Sequence, residues 1–131
     1  STELKSEVDD ALVRLLRSHE EHSVIAEILF ALAWRYVELG EDQLTYVRNL
    51  GEEEQIVIAR NRYLASVFPQ IGIPCLLSSL ADIRPRVRMA AIDDLEDLAC
   101  TQATALIAPM MNDPDPYVAD AARTFVSRRY M

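Results

Sequence analysis

A block of sequence recurs after 31 residues in the C-terminal half of this chain, and it limits the possible folds more than any other feature. Repetition at a fixed period of about 20–50 residues is typical of architectures in which one supersecondary unit stacks on the next. The spacing therefore predicts two equivalent structural units. The matched pairs are Asp82 with Asp113, Pro85 with Pro116, Val87 with Val118, Ala90 with Ala121, Ala91 with Ala122, and Leu95 with Val126.

The same frame extends towards the N-terminus as apolar columns whose members are spaced along the chain as on one face of a helix. We therefore predict an all-α chain that forms a single repeat domain over residues 1–131, with four helical hairpins at about 3–39, 41–68, 72–99 and 103–131. The columns are Ile25, Ile56, Val87 and Val118; Ile28, Ala59, Ala90 and Ala121; and Ala33, Leu64, Leu95 and Val126.

Turn residues divide each hairpin into two helices. Gly40, Gly51 and Gly72 fall at predicted junctions, where a residue that tolerates positive φ is useful. Pro109 lies inside a predicted helix and should kink it or end it early. The predicted first helices are 3–18, 41–50, 73–81 and 103–111, and the second helices are 22–39, 53–67, 85–99 and 116–129.

The starts of the last two second helices carry the clearest local signals. Pro85 and Pro116 stand where a helix tolerates a fixed φ and a missing amide hydrogen. Asp115, directly before Pro116, is a suitable N-cap residue. These signals predict the position of both helix starts.

The run from Asp82 to Ala91, with its Pro, Val-Arg and paired Ala, resembles HEAT repeats, and so does the "DPDPYVADAA" run that follows it. This resemblance implies an α-α superhelix, a solenoid of about four HEAT-like hairpins whose second helices line a concave binding face. Arg60 and Asp94 depart from the pattern, because the other hairpins carry apolar or small residues there. Such polar groups need either solvent or partners.

The formal net charge of −8 argues against nucleic-acid binding, since Lys and Arg supply most of the affinity for phosphates. An acidic chain instead favours a protein partner with a basic surface. Arg84, Arg86 and Arg88 form a small basic patch, and local pairing with Asp82 and with acids of adjacent hairpins is the favoured interpretation.

Sequence signals for catalysis are weak. The resemblance leaves an alternative open, an enzyme or lyase subunit on a HEAT-like scaffold that depends on a metal or modifies a cofactor, since some HEAT-like proteins hold iron with repeated His-Glu pairs. Here His19-Glu20-Glu21-His22 has no counterpart one repeat later, and two histidines cannot complete such a site. Cys75 and Cys100 lack metal spacing, and we expect Cys75 to be a buried, reduced thiol. We predict no enzyme activity, no cofactor and no metal.

The expected location is cytoplasmic, with no membrane partner. The longest apolar stretch, from Ile25 to Val37, is interrupted by Glu27 and Arg35 and is too short and too charged to span a bilayer. The sequence shows no charged-then-apolar leader.

The frame and the resemblance together predict which side chains line the groove. We expect an exposed column at Trp34, Ala65, Glu96 and Ser127, which would make the only Trp of the chain a binding anchor; packing of Trp34 beneath the N-terminal helix stays open. Four carboxylates between Asp93 and Asp97 would suit a basic partner. The predicted groove rows are Glu27, Ile58, Met89 and Asp120; Val24, Gln55, Arg86 and Tyr117; and Ala31, Arg62, Asp93 and Thr124.

We therefore predict a non-catalytic protein–protein interaction module, an immunity or inhibitor protein against a basic toxin being one specific form. Metal-dependent or cofactor-modifying catalysis and nucleic-acid binding are the competing hypotheses, and the oligomeric state stays open. The predicted partner-binding residues are Glu27, Trp34, Arg62, Arg86, Met89, Asp93, Glu96, Asp97, Tyr117 and Asp120.

Overall fold

The computed structural model describes residues 2–18 and 20–129, and this part of the chain is all-helical, with no strand. Short 3₁₀ segments at Thr101–Ala103 and Ala108–Asn112 flank one of the helices. The α-helices are α1 (Thr2–Ser18), α2 (His22–Trp34), α3 (Glu41–Arg48), α4 (Glu54–Val67), α5 (Pro69–Ser79), α6 (Pro85–Asp97), α7 (Thr104–Ile107) and α8 (Pro116–Arg129).

The all-α prediction is confirmed, and α2, α4, α6 and α8 begin at or next to their predicted first residues. Pro85 and Pro116 are the first residues of α6 and α8. Oδ1 of Asp115 accepts hydrogen bonds from the amides of Tyr117 (2.9 Å) and Val118 (3.1 Å), which confirms the predicted N-cap of α8. Proline and a capping carboxylate thus fix these helix starts locally.

The chain divides into two compact units, Ser1–Gly72 and Ile73–Met131, and each is described by itself. The single-domain interpretation and the division into four stacked hairpins stay predictions. None of the described helices combines the length and the apolar character that a membrane crossing requires.

The core of the N-terminal unit forms where α2 packs against α4, with α1 against α2. Ile25, Leu29 and Leu32 from α2 meet Ile56 and Leu64 from α4, and all five are buried. Removing this apolar surface from water is the main stabilising contribution.

Two buried polar side chains of α4 hold neighbouring loops. Tyr63 is fully buried; its hydroxyl donates to the carbonyl of Val37 (2.6 Å) and accepts from the amide of Leu39 (3.0 Å). Burial raises the pKa of Tyr63 to about 12. Arg60 is buried as well, and it donates to the carbonyl of Gly51 (2.8 Å) and to Glu52 (3.2 Å). Arg60 therefore has the partners that its apolar position requires.

Helix α2 ends at Trp34, earlier than the predicted residue 39. Tyr36 adopts a left-handed conformation (φ 54°), and the amide of Val37 donates back to the carbonyl of Leu32 (3.0 Å). This is a left-handed C-terminal cap in which Tyr36 takes the position usually given to glycine. The prediction failed because no glycine or proline marks the stop.

Gly72 lies inside α5, which begins at Pro69, and not at the predicted junction before residue 73. A β-carbon at Gly72 would overlap the backbone of Leu64 and Ala65. Glycine is needed here for close approach between α5 and the end of α4, and not for a turn.

The C-terminal unit is built around the packing of α6 against α8. Its buried side chains include Val87, Ile92 and Leu95 from α6 and Val118 and Phe125 from α8. Pro109 acts as predicted, because α7 ends at Ile107 and a 3₁₀ segment follows.

The first apolar column is buried throughout: Ile25, Ile56, Val87 and Val118 are at most 2% exposed. The other two columns are buried only in part, since Ala90, Ala121 and Val126 are half-buried. The 31-residue frame thus identifies core positions most reliably near the start of each second helix.

Candidate interaction surface

Helices α6 and α8 bring together seven of the ten residues predicted to bind a partner, along two adjoining clefts. Met89 and Tyr117 line both clefts. We call this region, which lies wholly within the C-terminal unit, the α6–α8 surface. The seven residues are Arg86, Met89, Asp93, Glu96, Asp97, Tyr117 and Asp120.

The smaller cleft, of about 350 Å³, lies at the N-terminal ends of α6 and α8. Its walls are the ring of Pro85, the side chain of Met89 and the ring of Tyr117, with Arg86 and Asp115 completing the lining. Tyr117 is 74% exposed. This cleft offers a mainly apolar hollow that is open to solvent.

The larger cleft, of about 410 Å³, follows the two helices towards their C-terminal ends. Ile92 and Phe125, both buried, contribute to its lining. Its acidic residues outnumber its one basic residue, so the cleft carries an excess of negative charge. The charged lining residues are Asp93, Glu96, Asp97, Asp120 and Arg128.

Glu96 forms ion pairs with two arginines of α8, at 2.8 Å from Arg128 and 3.0 Å from Arg129. Burial raises the pKa of Glu96, but hydrogen bonds and charge from both arginines outweigh burial, and the pKa is lowered overall. The charge of Glu96 is therefore largely satisfied within the protein.

Of the four carboxylates between residues 93 and 97, three line the larger cleft, namely Asp93, Glu96 and Asp97. Asp94 is buried and is not part of the cleft lining, and Glu96 is ion-paired. Asp93, Asp97 and Asp120 are exposed, so the accessible acidic charge lies on both helices and not on one helix face.

Arg84 and Arg88, two of the three arginines of the basic patch at the start of α6, pair with nearby acids as predicted. Arg84 binds both carboxylate oxygens of Asp82 at 3.0 Å, which lowers the pKa of Asp82. Arg88 binds both carboxylate oxygens of Asp113, at 2.9 and 3.0 Å. Arg86 is exposed and lines the smaller cleft.

The other three predicted residues lie in the N-terminal unit. Glu27 is exposed, and Arg62 stacks over the ring of Phe30 at 5.2 Å. Trp34 is 86% exposed, so the burial alternative for this side chain is wrong. None of these three residues is part of the lining of the two clefts.

The prediction that Trp34 and its repeat equivalents are all exposed is correct only in part. Ala65 is buried, because its backbone contacts Gly72 of α5. Glu96 is half-buried and Ser127 is exposed. Repeat position alone therefore does not determine exposure, since the early start of α5 covers one member.

Sequence reasoning missed several cleft residues, above all Pro85, Asp115 and Arg128. Pro85 and Asp115 were assigned to helix starts, but a residue that starts a helix can also line a cleft. Sequence reasoning also missed a second exposed aromatic side chain of the N-terminal unit, Tyr36, which is 71% exposed and two residues from Trp34. A second aromatic side chain two residues after a Trp that was expected to be exposed was the available signal.

The His-Glu cluster at residues 19–22 and the two cysteines are the candidate metal ligands and nucleophiles of the sequence. His19 lies outside them, and His22 is exposed and lies 3.4 Å from Glu53. No group of three or more His, Cys, Asp or Glu residues within 2–18 and 20–129 is placed to hold a metal ion. Cys75 and Cys100 are free thiols, and Cys75 is half-buried, not fully buried as expected.

A comparison of the chain with known protein families, curated proteins and solved structures finds no match. The resemblance to HEAT repeats is therefore carried by the quoted residues alone.

Proposed function

We propose that this chain is a non-catalytic protein-binding module and that the α6–α8 surface binds a partner with a basic surface. One observation carries the proposal: seven residues selected from the sequence line two adjoining clefts between α6 and α8. The clefts combine apolar walls with an excess of acidic side chains. Such a combination suits protein recognition better than phosphate binding.

The apolar walls of the two clefts would supply most of the affinity for the partner. Tyr117 and Met89 are large, accessible side chains, and aromatic residues and Met are enriched at the centres of protein interfaces. Asp97 and Asp120 would attract and orient a basic partner, since complementary charge mainly increases association rate and specificity.

The proposal also includes the finer description of the fold, a HEAT-like solenoid of about four hairpins in a cytoplasmic protein. The 31-residue recurrence and the burial of Ile25, Ile56, Val87 and Val118 at similar positions of four helices support it. An inhibitor of a basic target protein is the specific form that size and charge favour.

Site-specific photocrosslinking in the native cell tests the proposal. Thr124, which is exposed and lines the larger cleft, is replaced by benzoylphenylalanine. Ser6, exposed on α1, receives the same photoreactive side chain as the matched control. We expect position 124, and not position 6, to capture a discrete basic protein.

The captured protein is then purified and its binding to the unmodified chain measured directly. Binding that weakens in Asp97→Asn/Asp120→Asn and falls with added salt supports the proposal. Capture of a nucleic acid, capture of acidic proteins, or the same products from both positions would overturn it.

A further inference from the structure

We infer that the chain forms a homodimer in which helix α1 of one copy packs antiparallel against α1 of a second copy. The inference concerns the N-terminal unit and does not depend on the α6–α8 surface. It starts from a row of apolar residues on the outer side of α1, which we call the α1 stripe. The α1 stripe consists of Leu4, Val8, Ala11 and Leu15.

Helix α1 carries two separate apolar faces. Leu12 and Leu16 pack into the core of the N-terminal unit, and Leu16 is fully buried. The α1 stripe lies about a quarter-turn away, and its members share one face because they are three or four residues apart. Its larger side chains are nevertheless in contact with water: Leu4 is 59%, Val8 38% and Leu15 42% exposed. Single exposed apolar residues are ordinary, but an aligned row indicates a contact surface.

The spacing of the α1 stripe suits a second copy of the same helix. The intervals of four, three and four residues are those of the two core positions of a coiled coil. They also read the same in both directions along the chain. In an antiparallel pair, Leu4 would therefore face Leu15 of the second copy, and Val8 would face Ala11. A twofold axis would repeat each contact, as in most protein dimers.

Charge complementarity selects the antiparallel orientation. Glu7 and Arg14 border the α1 stripe, are exposed, and form no ion pair with another residue within 2–18 and 20–129. In the antiparallel pair, Glu7 of each copy comes within about 3 Å, along the helix axis, of Arg14 of the other copy. Two complementary contacts result. A parallel pair would place Glu7 at the level of Glu7 and give neither contact.

The charge of α1 favours a second copy over a membrane surface. The helix carries four acidic and three basic side chains. Helices that lie on membranes usually have a polar face rich in Lys and Arg, which attracts anionic lipids. The mixed charges of α1 instead suit a helix of the same sequence.

The length of α1 sets the expected affinity. Its 17 residues span about 25 Å, so a pair of these helices buries less surface than a standard protein interface. Interfaces of this size are weak and reversible. We therefore expect a dissociation constant of tens to hundreds of micromolar.

Sedimentation equilibrium of the whole chain, from micromolar to millimolar concentration, tests the inference. About 0.15 M salt limits the repulsion between copies that each carry a net charge of −8. Leu15→Glu should weaken dimerisation about tenfold or more, since it places a charge in the apolar contact. Leu106→Glu on α7, which replaces a leucine that is 55% exposed, is the matched control and should leave dimerisation unchanged.

A charge exchange tests the orientation. Glu7→Arg would place two arginines side by side in the antiparallel dimer and should weaken it about three- to tenfold. Glu7→Arg/Arg14→Glu restores opposite charges and should return the dissociation constant to within about twofold of the unaltered chain. The two positions lie about 10 Å apart on one helix, so this recovery reports contact between copies.

Four results would overturn the inference: a monomer at every concentration, equal dimerisation of Leu15→Glu and Leu106→Glu, no recovery in the charge exchange, or a monomer that binds lipid through the α1 stripe. Co-sedimentation with phosphatidylcholine–phosphatidylserine vesicles, using the unaltered chain and Leu15→Glu, detects the last result. Circular dichroism checks that each variant is folded, and Val8→Glu replaces Leu15→Glu if the latter is not. The crosslinking experiment tests the proposed function separately.

Discussion

The guanidinium group of Arg88 on α6 donates to both carboxylate oxygens of Asp113, which precedes α8, at 2.9 and 3.0 Å. Both side chains are largely buried, at 14% and 9% exposure. Arg88 also donates to the carbonyls of Asp82 and Ile83. One side chain thus connects the loops before both helices that form the α6–α8 surface.

Replacing Arg88 by lysine should destabilise the protein by about 1–3 kcal/mol, because lysine keeps the charge but loses the planar, two-point contact with Asp113. Urea denaturation measures the change. Arg86→Lys, an exposed position nearby, should change the free energy of unfolding by less than about 0.5 kcal/mol. Equal effects of the two variants would show that the Arg88–Asp113 geometry contributes nothing.

Stability should fall in acid through two aspartates. Hydrogen bonds from Arg88 lower the pKa of Asp113 below its usual 3.8, and hydrogen bonds from Arg84 do the same for Asp82. An aspartate whose pKa is lower in the folded than in the unfolded protein stabilises the fold at any pH above its usual pKa. This contribution is lost as the pH falls through the folded-state pKa. Urea denaturation at a series of pH values from 6 downwards should show that the free energy of unfolding declines in acid, and that it declines less in Asp113→Asn. The same decline in both proteins would contradict this prediction.

Gly72→Ala should destabilise the protein by about 3 kcal/mol, because the new methyl group overlaps the backbone of Ala65 and α5 must move away from α4. Gly40→Ala is the matched control, since nothing lies within 4 Å of a β-carbon there. Gly40→Ala should lower the free energy of unfolding by less than about 1 kcal/mol. Thermal unfolding of both variants measures the difference.

Ala99→Gly should stabilise the protein by about 0.5–1 kcal/mol, because Ala99 has a positive φ of 51° that glycine adopts without strain. The amide of Cys100 donates to the carbonyl of Leu95 (3.0 Å), which closes the cap after α6. Chemical denaturation measures the gain, and Ala105→Gly within α7, an exposed helical position, should instead lose stability. A loss in Ala99→Gly would contradict the cap assignment.

Local chemistry explains which parts of the fold were predictable. Pro85, Pro116 and Asp115 define helix starts through φ and capping, and these positions were predicted correctly. Helix ends at Trp34 and Asp97 were not, because left-handed Tyr36 and Ala99 terminate them without glycine. Gly72 was misassigned because glycine serves turns and close helix packing alike.

The candidate site was predictable only in part. Repeat spacing placed Met89, Asp93 and Asp120 on outward positions, and they line one cleft. It could not predict that Arg128 and Arg129 neutralise Glu96, because that pairing depends on the side-chain directions of two packed helices. The depth of the clefts is likewise a property of packing and not of sequence period.

The affinity of the captured partner for three forms of the chain tests the central claim most directly. The forms are the unaltered chain, Asp97→Asn/Asp120→Asn on the α6–α8 surface, and Glu41→Gln/Asp42→Asn, which removes the same charge from α3. Isothermal titration calorimetry at low salt should show about tenfold weaker binding for the first double variant alone. Equal affinities for all three forms would contradict the assignment of this surface as the binding site.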